Sequence, residues 1–145
     1  MSVKFTDNSA AVKAQFEKNI AKTLVQMGLH WQRRATDEAN RMIYETPESP
    51  TYKRTNRYKA SLSFITPDFN SGKNPAASSD ESRPSDVLHG QAPKDTAVVG
   101  SNVEYAPDIE MGTSRMAARP VVGNAVLNYQ DEYREIITKT MKEGF

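Results

Sequence analysis

Two groups of side chains in this chain have types and spacings that could do chemistry. The first is Tyr52, Lys53, Arg54, Arg57, Tyr58 and Lys59. Cations interleaved with aromatics can grip phosphates and stack on bases. A basic lead-in to a strand explains the same residues more plainly. Contact of Lys53, Arg54, Arg57 and Lys59 with DNA or a partner protein is therefore the second expectation for them. The other group is Tyr105, Asp108, Glu110, Met111, Thr113, Arg115, Arg119 and Pro120. Asp108 and Glu110 stand two apart, so on a short helix they do not share a face as paired acid and base would. Glu110 is instead expected to bind an arginine, Arg115 or Arg119, in its own or the next subunit. The chain has no cysteine, hence no disulfide and no thiolate nucleophile or ligand. His30 has Arg34 four residues on, which is no metal partner, and reads as a surface or interface histidine. His89-Gly90 reads as a turn. No glycine-rich phosphate loop is present. Neither an enzyme nor a catalytic residue, metal, cofactor or small-molecule substrate is expected.

Composition narrows the classes further. The 145 residues suit one domain with a modest core. Hydrophobic residues make up 37% and the mean hydropathy is −0.68, so much of the surface is polar. Nineteen lysines and arginines against 18 carboxylates leave a net charge of +1, which argues against a dedicated nucleic-acid binder. No run reaches the length of a membrane span and no signal-peptide core stands at the start. A protein assembled in a reducing cytosol, away from membranes, is expected.

The elements that must position these residues follow from period and punctuation. Val12, Phe16, Ile20, Leu24, Met27, Trp31, Ala35, Ala39 and Met42 recur every three or four residues. They predict one helix over 8–45, with Asp7, Asn8 or Ser9 as cap and Pro47 and Pro50 as its end. Such a helix spans about 50 Å, long for so small a domain. Gly28 within it costs about 1 kcal/mol relative to alanine and is a place for a kink. Trp31 and the methionines read as core, and Lys13, Lys18, Lys22, Arg33 and Arg34 as a solvated face. Ser61–Ile65 alternates as a half-buried strand does. Residues 67–94 are rich in Pro, Ser, Asn and Gly, with Val87 and Leu88 the apolar exceptions, and read as a long mobile loop between strands. Thr96–Gly100 is a second strand, apolar enough to lie centrally. Tyr105–Met111 is a short helical turn, with Ile109 and Met111 inward and Asp108 and Glu110 wet. Gly112 sits where a C-cap needs a left-handed residue, and Pro120 opens the last helix, 120–143. Its expected stripe is Val122, Val126, Tyr129, Tyr133, Ile136, Ile137 and Met141. The fold class is α+β: a long N-terminal and a C-terminal helix on a small antiparallel sheet, with a polar loop between strands. A sheet so small leaves an open edge that invites a neighbouring subunit.

The run VGSNVEYAPDIEMGTSRMAARP resembles the signature of the neck, or head–tail joining, proteins of tailed bacteriophages. The matching positions are Val99, Gly100, Tyr105, Ala106, Glu110, Gly112, Thr113, Ala118, Arg119 and Pro120. A "TGxLxxS" segment of that family is matched more weakly by Thr55, Tyr58 and Ser61. Asn56 replaces its glycine and is the next residue most tolerant of positive φ. The resemblance implies a structural virion protein of the neck or tail, assembled in the host cytoplasm. It implies a homo-oligomeric ring, a hexamer or dodecamer, acting in tail completion or as a tail terminator or connector. The implied partners are head-completion, connector and tail-tube proteins, with packaged DNA beside them. Tyr105, Glu110, Met111, Thr113, Arg115, Arg119 and Pro120 would then form the subunit contact. A DNA-contacting protein and a cytosolic adaptor are the alternatives.

Overall fold

The long apolar period folds as a single helix, α1, over Ser9–Ala39, extended by a wider π-helical turn at Asn40–Tyr44. This holds in a computed structural model that describes residues 2–48 and 54–145. Asn8 is the N-cap residue, but the capping oxygen is Asp7 Oδ1, which accepts the Ser9 N–H at 2.9 Å. At the far end Arg54 closes the helix. Its guanidinium donates to the carbonyls of Tyr44, Thr46 and Pro47 at 3.2, 2.7 and 2.9 Å, so the last carbonyls are not left unsatisfied.

After Asn56, which is left-handed at φ 64°, the chain forms α2 (Arg57–Ser61) and then β1 (Ser63–Ile65). The positive φ expected at Asn56 is present; the strand expected from Ser61 starts later, because α2 takes its first residue. β2 (Val98–Gly100) pairs antiparallel with β1, Phe64 opposite Val99. Among the described residues the sheet has two strands, so β2 is an edge rather than a central strand. The outer edge of β1 is covered by the turn that follows it. Phe64 N–H donates to Ser71 Oγ, Ser71 N–H to Phe64 O, and Thr66 N–H to Phe69 O. Next come α3 (Ala106–Met111), α4 (Val121–Leu127) and α5 (Gln130–Met141). The C-terminal helix is thus in two pieces, broken at Asn128–Tyr129.

Trp31, Ala35, Ala39, Ile43, Tyr58, Leu62, Val121, Ala125 and Tyr133 make the core. The expected stripe of α1 holds over this half, and Trp31 lies in the core as read. In the first half of α1 it does not hold: Val12 and Phe16 are exposed and Asn19 and Thr23 are buried. The cause is the C-terminal end of α5, whose carbonyls need donors. Asn19 Nδ2 donates to Glu143 O at 2.8 Å and to Met141 O at 3.3 Å, and Thr23 Oγ1 bonds Thr140 Oγ1 at 2.6 Å. A polar seam there replaces the apolar one. Asn19→Leu is accordingly expected to destabilise the protein by about 1–2 kcal/mol, although leucine is the more apolar residue; urea unfolding measures it. The stripe of α4 is displaced too, with Val121 and Ala125 buried and Val126 exposed.

Gly28 makes no kink. It lies against the face of Phe64, and a Cβ there would overlap the ring. The glycine lets β1 approach α1. Gln32 Nε2 donates to Leu62 O at 2.8 Å one turn further along.

The 67–94 segment is tied to the rest of the chain, against the expectation of a mobile loop. Asn74 is buried and donates through Nδ2 to Thr36 Oγ1 and to Lys59 O at 2.8 and 3.0 Å. Leu88 N–H donates to Ser63 Oγ at 2.9 Å. Asp86, in a 3-10 turn at Pro84–Asp86, receives Arg57. The sequence signal was polarity, but here the polar groups are the fastenings.

Candidate functional site

The residues expected to meet phosphate are engaged inside the subunit. Arg57 is buried. Its Nε and Nη2 donate to the two carboxylate oxygens of Asp86 at 2.9 and 2.8 Å, and its Nη1 and Nη2 to Glu104 at 3.1 and 3.0 Å. Two-point bonding of this kind fixes orientation as well as charge. Asp86's bonds to Arg57 hold its carboxyl below the ordinary range, and the same bonds raise the guanidinium. Lys59 Nζ donates to Asn40 Oδ1 at 2.8 Å and lies 4.4 Å above the Tyr44 ring. Arg54 closes the long helix. Lys53 lies outside the described residues. The expected basic-aromatic surface is thus corrected: Arg54, Arg57 and Lys59 point to three different internal partners. Spacing along the chain did not show this, because α2 turns Arg57 and Lys59 to different sides.

Tyr105, Glu110, Met111, Thr113, Arg115, Arg119 and Pro120 are brought together by one continuous unit. Tyr105 is the N-cap residue of α3, and the Arg57 guanidinium lies 5.8 Å from its ring centre. Gly112 ends α3 with the positive φ expected of it, 77°, but with ψ at 173° it leads the chain out extended rather than in a left-handed helical cap. A Cβ on Gly112 would also stand 2.7 Å from Ala118 N and 2.9 Å from Met116 O. The chain then turns tightly, with Thr113 and Met116 exchanging backbone bonds at 2.8 and 3.3 Å. It returns so that Arg119 N–H donates to Ile109 O at 2.7 Å.

Glu110 is the keystone of this unit, and its expected partner is corrected. Its Oε1 accepts the N–H of Val122 at 3.0 Å and its Oε2 that of Gly123 at 2.9 Å. These are the first free N–H groups of α4, where a carboxylate also meets the positive end of the helix dipole. Neither Arg115 nor Arg119 forms an ion pair with Glu110. Pro120 is the N-cap residue of α4 rather than its first residue. Glu110→Ala is expected to lower subunit stability by about 1–2 kcal/mol through the lost cap, with Glu110→Gln milder; thermal unfolding read by circular dichroism at low protein concentration checks it.

Met111 is not inward as expected: it is 77% exposed, while Ile109 packs on the core. Thr113, Ser114 and Arg115 at the turn are exposed as well. The unit therefore has a rigid base and a free tip. Gly123 follows the same logic as the base: small enough to let the Glu110 carboxylate approach, with a Cβ only 3.1 Å from Oε2.

His30 is only partly a surface residue. Its Nε2 lies 2.8 Å from Glu132 Oε1, and its ring meets Tyr133 edge-on. Arg34 pairs with the same carboxylate and stacks over Tyr129, whose hydroxyl donates to Glu38 at 2.8 Å. These contacts set the start of α5 on α1. Among the described residues no three or more His, Cys, Asp or Glu side chains gather as a metal site, and no helix is long and apolar enough to cross a membrane. Comparison with protein-family models, curated proteins and solved structures finds no match to this chain.

Proposed function

We propose that this protein is a structural subunit of a tailed-phage virion, placed in the neck or head–tail joint and working as a homo-oligomer. The observation that carries the reading is how the signature-like run is built. Glu110 ties the end of α3 to the first N–H groups of α4, Gly112 lets the returning chain pass close at Ala118, and Arg119 N–H donates to Ile109 O; Met111, the last residue of α3, is left exposed beside the turn. A single exposed apolar residue is ordinary on a protein surface, so Met111 supports the reading only as part of the signature-like run that holds it in place. Thr113 and Arg115 stand exposed in the same run.

The DNA-contacting alternative is weakened by the internal engagement of Arg54, Arg57 and Lys59. A neck subunit acts by contact, so its activity is measured as incorporation. Met111→Asp is expected to leave urea stability within about 0.5 kcal/mol of the parent, as exposed substitutions do, yet to abolish co-sedimentation with phage heads or tails. Unchanged co-sedimentation of a folded Met111→Asp subunit would remove the tip from the contact.

A further inference from the structure

Neither the core nor the signature unit uses the residues ahead of α1. Residues 2–8 precede α1 without secondary structure, and within them Ser2-Val3-Lys4-Phe5-Thr6 alternates polar and apolar residues. Val3 is 70% and Phe5 90% exposed. Strict alternation is the pattern of a strand with one buried face, yet this arm has no strand to join in its own subunit.

A free strand edge exists elsewhere. Phe64 commits its N–H and C=O to Ser71, so the ladder bonds between β1 and β2 fall at the Ser63–Gly100 and Ile65–Val98 pairs. Val99 N–H and C=O then face away from β1, and among the described residues they have no partner. Beside the start of β2 runs a shallow groove of about 180 Å³, floored by Ile20, Ala21 and Leu24 and rimmed by Glu17, Asp68 and Asp95. It offers apolar atoms to Val3 and Phe5, and three carboxylates against one cation, Lys94, to Lys4.

The arm does not reach that edge in its own subunit. Val99 lies opposite Phe64, which sits on Gly28. Gly28 is about 30 Å along α1 from Asn8, whereas the arm from Asn8 back to Ser2 extends at most about 20 Å. We infer that the arm Ser2–Thr6 of one copy adds as a third strand to the β2 edge of a neighbouring copy. Backbone bonds to Val99 give the pairing, and the groove takes the apolar side chains. Donor arm and acceptor edge are different surfaces, so the contact runs head to tail and closes into a ring or continues as a filament. It rests on the reading that copies of this chain associate, and adds the means.

The absence of cysteine in the chain makes the test direct. Val3→Cys, Lys4→Cys and Phe5→Cys are each mixed with Val98→Cys under mild oxidation and run on non-reducing gels. At least one arm–edge mixture is expected to give several-fold more linked dimer than either variant alone. A double variant with both cysteines in one chain should give linked oligomers rather than internally linked monomers. Removal of residues 2–6 should leave the thermal midpoint unchanged at concentrations where both proteins are monomeric and raise the concentration for half-association at least about tenfold. An internal link within one chain would overturn the exchange. So would self-association without any arm–edge link, which would leave the assembly reading standing on another surface. A chain that stays monomeric at every concentration also overturns the exchange, while incorporation into virions decides the neck reading separately.

Discussion

Asp86→Ala is expected to be among the most damaging single changes in this protein, destabilising it by about 3–5 kcal/mol. The substitution strands a buried guanidinium that has lost its two-point partner and keeps only Glu104, whose side chain is 67% exposed. Against the 5–15 kcal/mol of total stability usual for a domain, that brings the subunit close to unfolding. The double change Arg57→Met with Asp86→Leu is expected to recover most of the loss, because no uncompensated charge is left buried. Urea midpoints of the parent, single and double variants measure this. The pH dependence follows from the same pair. The carboxyl of Asp86 has a folded pKa below its unfolded value, held down first by its bonds to Arg57. Its contribution is therefore fully present above the ordinary aspartate pKa near 4 and is lost as pH falls from there through the lowered value. The parent should lose stability across that acid window, and the double variant should lose less. A drop in DNA binding or assembly on changing Arg57 would report unfolding rather than a lost contact.

Gly28→Ala is the second large effect, expected at about 2–3 kcal/mol of destabilisation from overpacking. On helix propensity alone the sign would be the opposite, since alanine gains about 1 kcal/mol over glycine in a helix interior. The clash wins because the added methyl meets the rigid Phe64 ring rather than the end of a flexible chain. Phe64 is itself fully buried. Phe64→Leu in the Gly28→Ala background is expected to restore part of the loss, and the coupling between the two sites, read from a double-mutant cycle, should be well above the 0.5 kcal/mol found for independent positions. A stabilised Gly28→Ala protein would mean that β1 does not rest on this glycine.

Sequence period was enough where apolar burial decides the outcome. The long helix, its Trp31–Ala39 core face and the α+β class were legible from it, while the positive φ of Asn56 followed from the resemblance and that of Gly112 from a glycine at a helix end. It failed where polar groups do the packing. Asn19 and Thr23 face inward because the end of α5 presents carbonyls to the first and the Thr140 hydroxyl to the second, a fact about an element more than a hundred residues away. Asp86 looked like one carboxylate among many in a polar run, and only the fold puts it against Arg57. Glu110 was legible as a residue with a partner but not as the cap of α4, because a carboxylate eleven residues before a helix gives no local sign of meeting its N–H groups. The break at Asn128–Tyr129 was hidden because apolar residues continue in helical spacing across it.

The most direct test of the assembly reading is the mass of the purified protein by light scattering after size exclusion, over a concentration series and with or without phage heads and tails. A closed oligomer of discrete mass, or a monomer that is drawn into a ring on those particles, is the expected result. A monomer at all concentrations that ignores both heads and tails would contradict it.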